Sequence, residues 1–510
     1  MRVLFFMQSI RGYFRVFEPL LRGLAERGHR VHVAYDEEGT DEESRWVQDL
    51  ARAYPSITFG PAPHRKGARW AGFGHRVRRV ADLLRFLGPE FAHCTELRNR
   101  AIKRAPRLIG RSIPLRVLTR PRARTVFAAA LKRAERAIPS RAEVEAFIAH
   151  HDPDVVLLTP LLKLGSIQPD YLKSAQALGC RTMLCVASWD NLSSKALIRF
   201  PPNAVTVWNE IQKREAVDLH DVPAQRVFVT GAQNFDAWFD WKPRSREDFC
   251  RRIGLDPKKP YVMYVCSALF AASISEADFV KAWIRRLRNS GHPKLAEASI
   301  LVRPHPKRGA DWKSDKGDAL PSSVVIWPRG GAMPVDSQAK ADYYDSMYHS
   351  AAVVGLNTTA LIEAGIVGRP VHTVLAPEFS GSQNETLHFP YLTEIEGGLL
   401  RVAADFDEHA RQLAEALDGL TWGEEQRRRF LEVFVRPHGL EVSSTSVFVN
   451  AIESLAKGER PQPVRPSIGD RVIRLGLYPA HVTGKMFVRI MVARRAAQQR
   501  REKALRRENA

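Results

Sequence analysis

Cysteine is scarce in this sequence. Its 510 residues contain five cysteines, and no C-x-x-C pair occurs among them. Neither a disulfide-stapled secreted domain nor a zinc site with four cysteine ligands fits so few and so scattered thiols. We therefore expect the protein to reside in a reducing cytoplasm. The five residues are Cys94, Cys180, Cys185, Cys250 and Cys266.

Long hydrophobic runs are also missing. The apolar run near the N-terminus, from Val3 to Met7, has five residues and is shorter than the core of a signal peptide. No later run reaches the length of a membrane span, and the mean hydropathy of −0.27 excludes a polytopic membrane protein. The G-x-G-x-x-G pattern is absent as well, so redox chemistry with a dinucleotide has little support.

Positive charge is abundant but unevenly distributed. The chain has 77 Lys and Arg against 56 Asp and Glu, a formal net charge of +21. Residues 65–141 hold 21 basic and four acidic residues, and residues 471–510 hold 11 basic and two acidic residues. The rest of the chain is mildly acidic. We therefore expect two basic patches on an otherwise ordinary enzyme-like body.

Two series of β-prone runs alternate with helical patterns along the chain. Each series is typical of a parallel sheet covered by helices on both faces. The predicted fold class is α/β, with two Rossmann-like doubly wound domains, a basic helical insert and a basic C-terminal extension. Ligands of such sheets bind at the carboxyl ends of the strands, so we expect the site in the cleft between the halves. The predicted domains are 1–240 with an insert at 65–141, 241–460, and 461–510.

The most informative stretch covers residues 353–371. A predicted strand is followed by Asn357, Thr358 and Thr359, whose small polar side chains are typical of a helix start. Free N–H groups at a helix start attract anions, so a phosphate could bind there. Glu363 lies one turn further on, where its carboxylate could accept the hydroxyls of a ribose. The alternative is a plain helix cap with a solvated glutamate.

Three motifs in residues 300–390 resemble the donor-binding half of GT-B glycosyltransferases. They are especially similar to a branch that includes CDP-glycerol glycerophosphotransferases and capsule polysaccharide enzymes. The motifs are Val302-Arg-Pro-His-Pro306, the stretch 353–371 that ends in Gly-Arg-Pro-Val, and Gln383-Asn-Glu-Thr-Leu-His-Phe389. The resemblance implies donor binding by Arg303, Asn357, Thr358, Thr359, Glu363, Glu385 and His388.

The same resemblance implies a catalytic role for His305. Arg303 and His305 would lie at the lip of the cleft and neutralise a diphosphate leaving group. An arginine with a histidine can stabilise developing negative charge as a divalent metal does in other transferases, so no metal or other cofactor is expected. The alternative is a loop histidine satisfied by the backbone.

Asp190 is the best candidate in the first half for a general base. The segment Ser188-Trp-Asp-Asn-Leu192 follows a predicted strand, so its polar side chains should face the same cleft. A carboxylate there could take a proton from an acceptor hydroxyl. An Asx turn with Asn191 is at least as good an interpretation.

The basic segments favour an anionic membrane over nucleic acid. Lys and Arg interspersed with apolar residues suit a lipid surface, and no nucleic-acid recognition signature occurs. The sequence therefore predicts a cytoplasmic, peripheral glycosyltransferase at the inner face of the plasma membrane. It would move a sugar from a nucleotide donor to a lipid-linked or cell-envelope glycan. The alternatives are a glycerophosphotransferase, a nucleotide-sugar 2-epimerase, a nucleic-acid-binding protein, or a solvated basic face. The predicted membrane or acceptor contacts are Arg76, Arg78, Arg79 and Arg489.

Overall fold

A first parallel sheet organises the N-terminal half. The computed structural model describes residues 1–37, 39–63, 70–106, 115–268, 274–312, 320–420 and 422–479. The sheet has seven strands in the order β3-β2-β1-β4-β5-β6-β7, and every neighbouring pair is parallel. The strands are β1 Arg2–Ser9, β2 Arg30–Glu37, β3 Ile57–Pro61, β4 Val155–Thr159, β5 Arg181–Cys185, β6 Ala204–Val207 and β7 Val227–Val229.

A second parallel sheet repeats this winding. Its six strands lie in the order β10-β9-β8-β11-β12-β13, so the first strand of each half is central and the chain winds outward on both sides. The predicted class, α/β with two Rossmann-like doubly wound halves, is therefore confirmed. The strands are β8 Tyr261–Val265, β9 Ser299–Arg303, β10 Val324–Ile326, β11 Ala352–Val354, β12 Val371–Val374 and β13 Leu400–Ala403.

Helices connect the strands. The α-helices of seven or more residues up to Lys457 are α1 Ile10–Glu26, α2 Asp41–Ala53, α3 Ala71–Phe86, α4 Thr95–Arg104, α5 Pro121–Ala137, α6 Ala142–His151, α7 Gln168–Ala177, α8 Glu210–Asp218, α9 Arg246–Ile253, α10 Glu276–Arg288, α11 Ser337–Tyr348, α12 Ala360–Ile366, α13 Phe406–Leu417, α14 Glu424–Phe434 and α15 Ser444–Lys457. A 3-10 helix covers Pro306–Trp312. Shorter helices cover Leu115–Leu118, Asn191–Ser194, Asp236–Phe239, Pro293–Glu297 and Phe389–Glu394. Residues 468–479, called the tail helix below, are also helical. No helix in the described ranges is both long and apolar enough to cross a bilayer.

The central strand β1 is buried on both faces because both faces carry large apolar side chains. Phe5 packs on one face against Phe17 of α1, and Phe6 stacks on Tyr171 of α7 on the other. Successive side chains of a strand point to opposite faces, so this continuous apolar run supplies two separate cores. Ser9 caps α1 by accepting the N–H of Gly12.

The last long helix returns to the first half. Phe448, Val449 and Ile452 of α15 lie in the core beside β1 and α1. Asp236 holds the start of α15 by accepting the N–H of Thr445 at 2.7 Å, and it pairs with Arg436 at 2.8 Å. The predicted second domain, 241–460, thus ends in a helix whose apolar side completes the first core. The other domain boundaries stay predictions.

Two of the four arginines of α3, Arg78 and Arg85, are buried. Arg78 is 1% exposed; it pairs with Glu135 at 2.8 Å and with Asp170, and it donates to the carbonyl of Ser166. Its predicted membrane contact is therefore wrong, because the side chain joins the insert to the first half. Arg76 and Arg79 are half-buried. Arg489 lies outside the described residues.

Candidate functional site

The predicted donor residues lie where strands of the second sheet end. Arg303 is the last residue of β9, and Asn357, Thr358 and Thr359 connect β11 to α12. These positions are at the carboxyl edge of the sheet, where ligands of doubly wound folds bind. Helix α12 has seven residues and begins next to the first half. Thr358 accepts the N–H of Ala360 there at 3.5 Å.

Glu363 is buried and has two side-chain partners. Tyr343 of α11 donates to one carboxylate oxygen at 2.6 Å, and Arg15 of α1 donates to the other. The Arg15 guanidinium also lies over the Tyr343 ring, 5.6 Å from its centroid. Burial alone would lower the pKa of Arg15, but Glu363 and Tyr343 raise it. An ion pair between the halves therefore occupies the predicted ribose-binding carboxylate.

Arg303 is a buried cation that forms no salt bridge with a carboxylate of the described residues. It is 7% exposed and lies over the Tyr343 ring, 4.5 Å from the centroid. Its Nη1 atom has no hydrogen-bond partner among the described residues. Burial lowers the pKa of Arg303 to about 10. The charges of Glu363 and Asp342 act on Arg303, but neither carboxylate bonds to its Nη1, so this nitrogen could bind an anionic ligand.

His305 follows two residues after β9 and is half-buried. Its Nδ1 accepts the N–H of Lys307 at 3.1 Å, so the proton of the neutral ring is on Nε2. Burial, and then the charge of Lys307, lower the pKa of His305 to about 4. The imidazole is therefore neutral near pH 7 and available as an Nε2–H donor. It makes no hydrogen bond to Arg303 or Glu363.

Gly331 fixes the loop beside His305. It has a φ of +67°, and a Cβ at this position would lie 2.9 Å from the His305 carbonyl oxygen. Only glycine combines this backbone conformation with such a close approach. The 328–331 turn therefore packs directly on the His305 backbone.

Asp190 is held in a local network. Lys195 contacts its carboxylate at 2.7 Å, Ser194 donates to it at 3.0 Å and Asn191 at 3.1 Å. Burial would raise the pKa of Asp190, but Lys195 and His388 hold it well below its usual range. A carboxylate with such a low pKa is a weak proton acceptor. Asp190 accepts no backbone N–H at the start of the helix Asn191–Ser194, so the expected Asx turn is not seen there. Its observed partners are side chains, and the general-base role stays a prediction.

The neighbours of Asp190 bring the two halves together. Trp189 donates to the hydroxyl of Thr359 at 3.3 Å, and its ring lies edge-on to His388 at 4.9 Å. The Asn357 amide nitrogen lies 3.5 Å from Nε2 of His388. Burial lowers the pKa of His388 to about 4. Predicted residues from both halves thus form one cluster.

Glu385 lies apart from this cluster. Its carboxylate accepts the hydroxyl of Ser380 at 3.2 Å. Burial, and then the charge of Glu385, raise the pKa of the Cys94 thiol to about 11. Glu385 therefore faces the insert and not Glu363.

Sequence reasoning missed Arg15, Tyr343 and Lys195. Arg15 and Tyr343 stand in helices that look like ordinary sheet-covering helices, and their partner Glu363 is far away in sequence. Lys195 follows Asp190 by only five residues, so its proximity was the one local signal available.

A metal site does not emerge from the side chains. Within the described ranges no group of three or more His, Cys, Asp or Glu could hold a metal ion. The sequence contains two Asp-x-Asp triplets, Asp152-Pro-Asp154 and Asp405-Phe-Asp407, whose paired carboxylates could hold a divalent cation. In the structure Asp152 pairs with Arg2 and Asp405 caps α13. Metal-independent chemistry stays a prediction.

Solved structures with a similar fold include glycosyltransferases and epimerases. A glycosyltransferase from Rickettsia africae is 9% identical, with 90% of this chain and 99% of that chain covered and a TM-score of 0.49. A UDP-GlcNAc 2-epimerase from Methanocaldococcus jannaschii, in complex with UDP-GlcNAc and UDP, is 12% identical, with 89% and 99% covered and a TM-score of 0.48. A spinosyn forosaminyltransferase is 15% identical, with 90% and 100% covered and a TM-score of 0.45.

These likenesses do not distinguish a transferase from an epimerase, since both occur at TM-scores below 0.5. They do not support the finer resemblance to CDP-glycerol glycerophosphotransferases, which stays a prediction. No protein-family model matches the chain, and no curated protein matches it significantly.

Proposed function

We propose that the protein is a nucleotide-sugar-dependent glycosyltransferase of the GT-B type whose donor binds to the second half. The observation that carries this proposal is the buried Arg303, whose Nη1 has no partner among the described residues. A buried guanidinium at the carboxyl edge of a doubly wound sheet, with one nitrogen that bonds to none of the described residues, suits a phosphate group. Glu363, whose charge acts on Arg303, would accept a ribose hydroxyl, and the neutral His305, two residues after Arg303, would supply an N–H donor.

The transfer requires no redox partner. Overall, an acceptor hydroxyl oxygen bonds to the anomeric carbon of the sugar, and the bond from that carbon to the phosphate oxygen breaks. The electron pair leaves with the nucleoside diphosphate, and the acceptor proton passes to a base. Arg303 and the Nε2–H of His305 would stabilise the charge that develops on the leaving phosphate.

The experiment is a thermal-shift panel of nucleoside diphosphates, since a ligand that binds the native state raises its stability. Wild type should be stabilised by at least one of UDP, CDP, GDP and dTDP. Glu363→Ala should weaken that binding. As a control, Arg288→Met removes a half-buried arginine that donates to the carbonyl of Ala298, away from the cleft. This variant should leave nucleotide binding unchanged. Absence of any shift in wild type would contradict the proposal.

Product analysis separates the enzymatic alternatives. A transferase releases nucleoside diphosphate only when an acceptor is present, whereas a 2-epimerase converts a nucleotide sugar without any acceptor. A glycerophosphotransferase would release a nucleoside monophosphate from a polyol donor. His305→Ala should lower turnover by at least tenfold with donor binding largely kept, because charge on the leaving group is greatest in the transition state.

Substitution of Asp190 tests whether this residue is the general base. A base affects turnover alone, whereas a structural residue also affects stability. Asp190→Asn keeps the hydrogen bonds of Ser194 but removes the partner charge of Lys195. Lost turnover with unchanged unfolding would favour the base. Lost stability with proportionate activity would favour the structural role.

We further propose that the protein binds an anionic membrane surface and reaches a lipid-linked acceptor there. On the tail helix, Ile468, Val472 and Leu475 are 82%, 61% and 75% exposed, and their spacing puts them on one helix face. Arg471 on the same helix is exposed. Arg474 ties this helix to α5 by donating to the carbonyl of Ala137 at 2.7 Å. An exposed apolar stripe with basic flanks suits the headgroup region of anionic lipid.

Vesicle co-sedimentation tests this surface. The protein should co-sediment with vesicles that contain anionic lipid but not with neutral vesicles. Added salt should release it from the anionic vesicles. Replacing Ile468, Val472 and Leu475 together by serine should reduce binding, whereas Leu420→Ser, at an equally exposed apolar residue elsewhere, should not. Unchanged binding in the triple variant, or RNA binding that survives physiological salt, would overturn the membrane surface.

A further inference from the structure

Helix α1 of the first half is joined to the second half by two ion pairs. Arg15 pairs with Glu363 of α12, and Glu18 pairs with Lys340 of α11 at 2.9 Å. Arg15 and Glu18 are three residues apart and therefore lie on one face of α1. The same face of the helix thus contacts both helices that border the candidate donor site.

Of these two pairs, only Arg15–Glu363 involves a residue proposed to bind the donor. One oxygen of Glu363 accepts from Tyr343, which belongs to the same half and moves with it. The other accepts from Arg15, which belongs to the opposite half. A ribose hydroxyl that approaches Glu363 therefore competes with a side chain that can leave only if α1 shifts or Arg15 changes rotamer.

We propose that Arg15 is a competing counter-ion, which holds the halves closed over Glu363 and lowers the affinity for the nucleotide until it is displaced. This inference rests on the proposed function in one respect, namely that the ligand of Glu363 is a nucleotide. Arg15 is a positioning residue here: it sets how much of the protein is competent to bind donor. If the competent form is a minor fraction, the apparent dissociation constant is raised by the inverse of that fraction.

The opposite role for Arg15 makes a different prediction. Arg15 lies beside Arg303 across the Tyr343 ring, so it could instead be a second phosphate ligand. A phosphate ligand strengthens nucleotide binding, whereas a competitor for Glu363 weakens it. The direction in which Arg15→Ala changes nucleotide affinity therefore separates the two roles.

The experiment measures nucleotide affinity by calorimetry in wild type, Arg15→Ala, Arg15→Gln and Lys340→Ala. UDP, CDP, GDP and dTDP are the probes. Arg15→Ala should bind about 3- to 30-fold more tightly than wild type, as expected when a partly populated competent state becomes dominant. Arg15→Gln, which keeps a donor but no charge, should give a smaller gain and serves if the alanine variant does not fold. Lys340→Ala breaks the other pair and leaves Glu363 paired, so its affinity should change less.

A second readout does not depend on any nucleotide. All five cysteines are buried, so spin labels can be placed on new cysteines at the exposed positions Ala53 of α2 and Asp407 of α13. Arg15→Ala should lengthen or broaden the distance distribution between these labels without ligand. Added nucleotide should move wild type toward the distribution of the variant.

The outcomes separate the inference from the proposed function. Weaker nucleotide binding in Arg15→Ala, or unchanged affinity together with an unchanged label distance, would overturn the inference. If no nucleotide binds wild type or variant, the proposed function fails and the competition with nucleotide is overturned. A longer label distance in Arg15→Ala would then still establish the ion pair as the contact that holds the halves together.

Discussion

Helix α3 and the end of β9 each bury an arginine, but the two surroundings differ. Arg78 of α3 has two carboxylates and a backbone carbonyl as partners. Arg303 of β9 has an aromatic ring beneath it and an Nη1 without a partner among the described residues. A buried cation with its counter-ions built in holds the fold together, whereas one without them is stabilised by a ligand that brings negative charge.

The number of basic residues in a segment does not show how many of them are exposed. Residues 65–141 are strongly basic, and this excess predicted a docking surface. Arg78 and Arg85 are instead buried, and Arg85 donates to the carbonyls of Leu192 and Lys195. Exposed arginines remain on α4, α5 and the tail helix, among them Arg104, Arg133 and Arg471, and these are available for a surface role.

The largest expected effect comes from removing the paired cation. Arg78→Met leaves Glu135 and Asp170 without the guanidinium that neutralises them. We expect the free energy of unfolding to fall by about 3–5 kcal/mol, as when one partner of a buried ion pair is deleted. Urea denaturation measures this change. A loss near zero would break the comparison, since Arg78 would then behave as an unpaired cation.

Removing the unpaired cation should act on binding and not on stability. Arg303→Met loses a contact with the Tyr343 ring but also removes the cost of a buried charge. The free energy of unfolding should therefore stay within about 1 kcal/mol of wild type. Nucleotide binding should weaken by about 1.5–3 kcal/mol, the usual worth of a hydrogen bond to a charged group. Calorimetry and urea denaturation on one preparation check both values. A loss of unfolding free energy as large as that of Arg78→Met would contradict the prediction.

Glu215 is a buried carboxylate that is only half paired. One of its oxygens accepts a hydrogen bond, and the other has no partner in the described part of the chain. Tyr391 donates to the first oxygen across the two halves at 2.8 Å. Burial raises the pKa of Glu215 to about 7, against the effects of Tyr391 and Arg85. The folded state therefore binds a proton that the unfolded state has already released, so stability falls as pH rises from about 4.5 to 7.

Glu215→Gln should remove that pH dependence. The variant keeps an acceptor for Tyr391 and has no charge to bury, so it should exceed wild type in stability by about 1–3 kcal/mol at pH 8. Near pH 4.5 the two should be equal. Thermal unfolding across this pH range is the measurement, and a constant difference at all pH values would show that Glu215 does not carry the effect.

The smallest effect is expected for an exposed ion pair. Arg52 contacts Asp49 on α2 at 3.3 Å, and both side chains are mostly in solvent. Arg52→Ala should change the free energy of unfolding by less than about 0.5 kcal/mol, because water screens the pair. A loss as large as that of Arg78→Met would mean that burial is not what separates the two kinds of arginine.

Most of the fold could be predicted from the sequence because buried parallel strands carry continuous apolar runs. Strands β3 and β13, Ile-Thr-Phe-Gly-Pro and Leu-Arg-Val-Ala, contain residues that interrupt such a pattern. Both lie at sheet edges, where one side of the strand has no neighbour. A strand at an edge needs fewer consecutive apolar residues, so the sequence pattern that predicts a strand is weaker there.

Less of the candidate site could be predicted. Local motifs located Arg303, Asn357 and Thr359, because strand ends and helix starts are short-range features. The pairing of Glu363 with Arg15 joins residues 348 positions apart, and no local pattern encodes it. The buried state of Arg78 depends in the same way on Asp170, which approaches only when the insert packs on the first half.

The return of α15 to the first sheet affects how the chain is made. The N-terminal core lacks Phe448, Val449 and Ile452 until the ribosome has synthesised the whole second half. At 5–20 residues per second, the stretch from β7 to α15 takes about 10–40 s to emerge. During that interval the first half exposes the apolar groove that α15 later fills. A fragment that stops before Ser444 would expose that groove permanently. The first half expressed alone should therefore aggregate, unless a peptide of residues 444–457 is added to fill the groove.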